Sequence, residues 1–307
     1  MIRGLTDKKR AKGAYRIVTR ERYPFHRGQQ YKPFFIIGSG RSGTTLLRRL
    51  LMSRGVHISP EVWCMSEIYS SFTRLSLLAQ WEDLAHLVLS RMLVTSSCTN
   101  EFRSNAREII RKAFKIPENQ RSLAALINHF HMENARFVGA NASLWGDKTP
   151  KNCFAMEEIS KIFPDAQYIH LVRDGLDVVS SYYEAGLQTD LSQAAIRWVE
   201  SIESVKSFEA KNAQSVLEVR YEQMVMNKDE TLRDIHEFLG LRSNNISTKT
   251  IVPDDIKEAV HHRNVAKPVT SSYIGKGRKK LSHDQKLTIA PIADNMLIKM
   301  GYNKYLK

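Results

Sequence analysis

A chain of 307 residues with 42% hydrophobic and 25% charged positions has the make-up of an average soluble globular protein, which excludes global disorder. Its length fits one large domain or two small ones. The formal net charge is +14, of which +8 sits in residues 1–33, where ten Lys/Arg face only Asp7 and Glu21. We read residues 1–33 as a basic N-terminal arm ahead of one domain over 34–307. Such an arm can touch nucleic acid or an anionic membrane surface, although a solvated tail is the commoner outcome. A nucleic-acid partner is not expected, because the body lacks a basic stripe with interleaved aromatics. No run approaches a membrane span, and no apolar stretch of the secretory kind follows the basic start. The three cysteines, Cys64, Cys98 and Cys153, are widely spaced and odd in number. They read as reduced thiols, so the chain as given is expected to be soluble and cytoplasmic.

The first predicted element is a buried strand over 34–38, feeding a Gly-rich loop and then a helix over 45–54. A shorter strand candidate follows at 56–59. From about 66 to 140 strands disappear and helical patterns dominate (Leu75–Leu93, Ala106–Phe114, Ser122–His131), which reads as a helical insertion over one end of a sheet. A helix is expected over 154–163, with Phe154, Ile159, Ile162 and Phe163 on one apolar face. Strands return at 166–172 and 215–221. Between them, Ile196, Val199, Ile202, Val205 and Phe208 recur every third residue, the mark of a long amphipathic helix over Gln193–Lys211. Thr231–Leu239 is a shorter helix, with Gly240 as its stop. Alternating strands and helices predict an α/β fold, a P-loop-containing parallel sheet flanked by helices. Ligands of such sheets bind beyond the carboxyl ends of the strands.

The loop reads I-I-G-S-G-R-S-G-T-T-L-L from Ile36 to Leu47. Gly38 and Gly43 have the spacing of a nucleotide-binding P-loop, but Thr44 stands where an NTPase carries Lys. Backbone N–H groups over Gly40, Arg41, Ser42, Gly43, Thr44 and Thr45 can still cradle a phosphate at the helix start. The cation on offer is Arg41, which suits a nucleotide with a short anionic tail better than a triphosphate. The second motif is H-L-V-R-D-G-L-D-V-V-S-S-Y-Y, His170 to Tyr183. Arg173 at a strand end offers a planar fork for a phosphate dianion, and Ser181 adds a hydroxyl.

These two motifs resemble the 5′-phosphosulfate loop and the 3′-phosphate motif of PAPS-dependent sulfotransferases, including the Arg-to-Ser spacing. Within that superfamily the chain looks most like the branch holding the protein-tyrosine sulfotransferases and related bacterial enzymes. W-G-D-K-T-P-K-N (145–152), R-Y-E-Q-M-V (220–225) and scattered residues over 266–302 add to the likeness, which runs discontinuously from about 34 to 303. The resemblance implies PAPS as cofactor, adenosine 3′,5′-bisphosphate (PAP) as product and no metal. No zinc-spaced His/Cys cluster or acidic cage is visible in the sequence. Glu61, in H-I-S-P-E-V-W, is the candidate base for the acceptor hydroxyl, with Glu67 as its competitor. Lys148, assisted by Arg41, is the candidate for stabilising the leaving oxygen. The resemblance also places Tyr221 near the nucleotide and makes Lys276, between Gly275 and Gly277, a lysine that closes over it. One departure stands out: His261-His262 occupies the place of a serine that touches the cofactor in the tyrosine-directed enzymes.

Two rival readings belong to other classes. A P-loop kinase or GTPase needs the missing lysine at position 44. A non-catalytic nucleotide- or polyanion-binding protein would use the basic arm. The acceptor stays open between a peptide tyrosine, a glycan hydroxyl, and a small phenol or lipid alcohol, and positive charge favours an acidic peptide or polysaccharide.

Overall fold

Five parallel strands form one sheet in the order β2-β3-β1-β4-β5: β1 (Phe34–Ile37), β2 (His57–Ser59), β3 (Trp145–Asp147), β4 (Gln167–Val172) and β5 (Val216–Arg220). The computed structural model describes residues 23–302 apart from 29–30, 54–55, 141, 143, 189 and 242–268. Most of the basic arm and the His261-His262 pair therefore lie outside the described residues. The parallel α/β sheet expected from the sequence is present, and the order of strands reverses around β1 and β4, the arrangement that opens a crevice at the carboxyl ends.

Alternation along β1 shows how the core is divided. Phe34 and Ile36 pack with Leu47, Leu50 and Leu51 of the following helix and with Ile169 and Leu171 of β4. Phe35 and Ile37 join Trp145, Tyr168 and the helical region on the other face. All four are at most 1% exposed, so the strand is covered on both faces and reads as a continuous apolar run. Each such burial contributes roughly 1.5–3 kcal/mol.

Strand β3 was not anticipated. It has three residues and no apolar run, and it inserts between β1 and β2 with Phe34 opposite Gly146 and Ile58 opposite Gly146. A Cβ on Gly146 would overlap the ring of Phe34, so only glycine lets these strands close up. The predicted helix over Leu75–Leu93 is divided. One helix ends at Leu75, and the next runs Trp81–Thr95 from a capping box made by Gln80 and Asp83. The predicted helix over 154–163 is a 3₁₀ turn, Pro150–Phe154, then a helix over Met156–Ile162. Phe154 consequently lies outside the apolar face and is exposed. Helices Leu191–Glu209 and Lys228–Phe238 lie within a few residues of expectation.

Between β2 and β3 run helices Met65–Leu75, Trp81–Thr95, Asn100–Ser104, Ala106–Phe114 and Leu123–Phe137, with no strand among the described residues. The end of the basic segment packs on this region. Phe25 stacks on Tyr69 with ring centroids 4.8 Å apart, and Ala124 N donates to Phe25 O at 2.8 Å.

Candidate active site

Each strand hands one element of the site to the crevice: the P-loop after β1, Glu61 after β2, Lys148 after β3, Arg173 at the end of β4, and Tyr221 after β5. The P-loop turns into helix Thr44–Met52 through Gly43, in the left-handed region at φ 99°. A Cβ there would meet the Tyr221 ring, so the loop and Tyr221 fit only with glycine. No side chain caps this helix start, which leaves its first-turn N–H groups to an anion. Arg41 takes φ 67° without being glycine. Such strain is characteristic of functional loops, and here it sends the guanidinium back so that Nε donates to Ser181 Oγ at 3.1 Å.

Arg173 is the centre of the second motif. Its Nη2 donates to Tyr273 O at 2.6 Å and lies 3.3 Å from Asp177 Oδ2, and its Nη1 donates to Arg41 O at 3.4 Å. The guanidinium lies 4.3 Å over the Tyr221 ring, a cation–π arrangement. Burial lowers the Arg41 pKa; Tyr182 opposes this, and the nearby charge of Arg173 adds to it. Ser42 Oγ and Arg173 Nε are buried without a hydrogen-bond partner. Two neighbouring guanidinium groups, an uncapped helix start and orphaned donors together offer several donors to an anion.

On the other side of the loop, Lys148 is only 2% exposed, not a solvated strand-end lysine. Its Nζ forms an ion pair with Glu61 Oε1 and donates to Thr45 Oγ1 at 3.2 Å. The other carboxylate oxygen of Glu61 accepts from Trp63 Nε1 at 2.8 Å. Burial raises Asp147, adjacent to Lys148, to about 7, with the Thr149 hydrogen bond opposing, Glu61 adding and Lys148 opposing. Burial and then the Arg48 charge hold His57 at about 4, against a hydrogen bond to Asn134.

The structure brings together Arg41, Ser181, Arg173 and Tyr221, and separately Glu61, Lys148 and Thr45. It does not bring Glu67 or Lys276 to these contacts. Glu67 pairs with Arg91 and lines a cavity of about 480 Å³ between helices Met65–Leu75 and Trp81–Thr95. Lys276 is 3.8 Å from Glu184 and 5.4 Å over the Tyr273 ring. The backbone around it is held instead: Gly275 N and Gly277 N donate to the two oxygens of Asp177 at 2.9 and 2.7 Å.

Asp177, Thr149 and Trp63 were not singled out from the sequence. Asp177 stands four residues after Arg173, a helical spacing that signals a partner. Thr149 follows Lys148 directly, and its hydroxyl accepts from Val62 N at 2.8 Å. For Trp63 the only signal was its place two residues after Glu61. Among the described residues no cluster of His, Cys, Asp and Glu could hold a metal ion, and no helix is long and apolar enough to cross a membrane.

The sequence profile of the sulfotransferase family matches residues 33–245. The chain belongs to the sulfotransferase family. Protein-tyrosine sulfotransferase A of Caenorhabditis elegans is 28% identical over 282 residues, covering 87% of this chain and 60% of that protein. Protein-tyrosine sulfotransferase 1 of Danio rerio is 25% identical over 297 residues, covering 92% of this chain and 75% of the relative. The chain thus spans well under the full length of the first of these. The fold matches the sulfotransferase domain from the Synechococcus PCC 7002 olefin synthase with a TM-score of 0.60 at 21% identity, over 90% of this chain and 98% of that domain.

Proposed function

We propose that this sulfotransferase moves the sulfuryl group of PAPS to a hydroxyl acceptor. The observation that carries the reading is the pair of contact sets flanking the P-loop, an anion grip on one side and the Glu61–Lys148–Thr45 chain on the other. The orphaned Ser42 Oγ and Arg173 Nε, with the uncapped helix start, fit a nucleotide carrying two separate anionic groups. PAPS, when bound, supplies an activated sulfuryl group on its 5′-phosphate and leaves as PAP. The P-loop from Gly40 to Thr45 with Arg41 would hold the 5′ end. Arg173 and Ser181 would hold the 3′-phosphate, with Tyr221 beside the nucleotide.

In this reading Glu61 holds the proton that the acceptor hydroxyl gives up as its oxygen attacks sulfur in line. Lys148, already donating to Thr45, presents its ammonium to the oxygen on which negative charge collects as the old bond breaks. Fixed donors aimed at developing charge are the strongest single contribution such a site offers. The Glu61–Lys148 contact has to open for both groups to act. Lys276 acts as the closing lysine only after leaving Glu184. A second reading makes Glu67 the base, favoured by its place on the cavity between the two helices.

Peptide tyrosine is the acceptor supported by the names of the two relatives, and the +14 charge suits acidic flanking residues. A glycan or small-molecule hydroxyl is the alternative. Incubation with radiolabelled PAPS and parallel sets of acidic tyrosine peptides, polysaccharides and small phenols tests the proposal. Label is expected in the peptides. Calorimetric PAP binding with no label in any set would establish the non-catalytic nucleotide-binding alternative.

A further inference from the structure

Trp63 is a large side chain left 47% exposed beside the candidate base, yet its position is fixed. Val62 forms an antiparallel bridge with Ser96. Glu61 N donates to Ser97 Oγ at 3.0 Å, and Ser97 N donates back to Glu61 O at 2.9 Å. Val62 N donates to Thr149 Oγ1 at 2.8 Å, tying the same stretch to the residue after Lys148. The segment is therefore pinned from both sides. Along an extended stretch, residues two apart share a side, and Trp63 Nε1 donates to Glu61 Oε2 at 2.8 Å.

Glu61 is held at both oxygens, Oε1 by Lys148 and Oε2 by Trp63. An ionised carboxylate has about four lone-pair sites, so Trp63 keeps Oε2 oriented while Oε1, once Lys148 parts from it, is left for an incoming hydroxyl. Indole is a donor only, which fixes the sense of the Trp63 bond. The ring itself is rigid and apolar, with its N–H engaged and about half of the residue open to solvent, the arrangement by which aromatics serve at binding surfaces.

We propose that Trp63 is a positioning and specificity residue of the transfer site. Its indole N–H fixes Oε2 of Glu61, and its exposed ring face receives the apolar flank of the acceptor whose hydroxyl reaches that carboxylate. This inference rests on Glu61 serving as the base.

The test is a double-mutant cycle between Trp63→Phe and Glu61→Gln, with Trp63→Ala alongside and PAP affinity by calorimetry as the check on folding. Trp63→Phe removes the N–H and keeps the ring. It should lower kcat roughly three- to tenfold, the size of one lost hydrogen bond, with acceptor KM changed by no more than about twofold. Trp63→Ala should also raise acceptor KM by roughly tenfold, through lost apolar contact. On the Glu61→Gln background Trp63→Phe should cost nothing further, because the two act as one unit. Wild-type kcat in Trp63→Phe, or an equal loss on both backgrounds, overturns the inference while leaving the base in place if Glu61→Gln alone is inactive. Full activity in Glu61→Gln removes the base assignment, and the role of Trp63 falls with it.

Discussion

The two sides of the P-loop are built differently. On the β4 and β5 side the charged groups close on one another. Asp177 takes the N–H groups of Gly275 and Gly277, Asp174 pairs with Arg278, and Glu222 accepts from Asp174 N and from Tyr302 OH, each at 3.0 Å. Burial nevertheless raises Asp174 to about 6, against the neighbouring Arg278. On the β2 and β3 side Glu61 and Lys148 are linked side chain to side chain in one line, Trp63–Glu61–Lys148–Thr45, that runs from the surface inward. A grip on a nucleotide gains from preorganisation. A transfer site has to admit a second molecule and let a contact part, and it keeps fewer bonds.

The largest expected effect breaks the open side. Glu61→Gln should lower kcat by roughly 10²–10⁴-fold, the range of a general base, with PAP affinity near normal. Acceptors with a more acidic hydroxyl should recover part of that loss, whereas Lys148→Ala should stay impaired with them. Equal loss across acceptors, together with a collapse in Glu67→Gln, would transfer the role of base to Glu67.

On the closed side Arg173→Ala should weaken PAP binding by roughly 2–5 kcal/mol, as when one member of a buried charge pair is truncated. Affinity within about twofold of wild type, read by calorimetry, would remove Arg173 from the grip. A smaller effect is expected from Asp177→Asn, since Gly275 and Gly277 donate to different oxygens and the amide puts an NH2 donor in place of one of them. A cost of about 1–3 kcal/mol should appear as faster hydrogen exchange at those two amides, with weaker PAP binding. Unchanged exchange would show that Asp177 does not hold the segment.

The remaining effect concerns stability and pH. Asp147 stands at about 7 in the folded chain, above its ordinary value of 3.8. Between those values the folded form binds more protons than the unfolded form, so this group makes stability fall as pH rises from about 4 to about 7. Asp147→Asn should therefore raise the denaturation midpoint above pH 7 and match wild type near pH 4. His57, held at about 4, acts with the opposite sign, losing stability as pH falls from 6.5. A midpoint difference that grows toward acid would contradict the assignment to Asp147.

The closed side was the more legible in sequence because backbone geometry writes itself into residue type. Glycines with hydroxyls between a strand and a helix, and an Arg with a Ser eight residues on, are local patterns. Glu61 and Lys148 are 87 residues apart and meet only because β3 inserts between β1 and β2. A three-residue strand carries no periodicity, so the contact was visible only as two separate candidates. Lys276 illustrates the reverse case. Its motif is local, but its side chain turns to Glu184, and the contacts that matter there belong to its backbone neighbours.

Gly146 has no chemistry of its own, yet it decides which charge the crevice receives. Successive residues of a strand point to opposite faces, and a slip of one position exchanges them. Asp147 and Lys148 are neighbours of opposite sign at the end of β3, one fixed by Asn152 and the other paired with Glu61. Moving the strand by one residue would offer a carboxylate where the ammonium belongs, beside a second carboxylate. The close approach of Gly146 to the Phe34 ring makes that slip sterically expensive. A residue with no side chain thus sets the electrical polarity of the site.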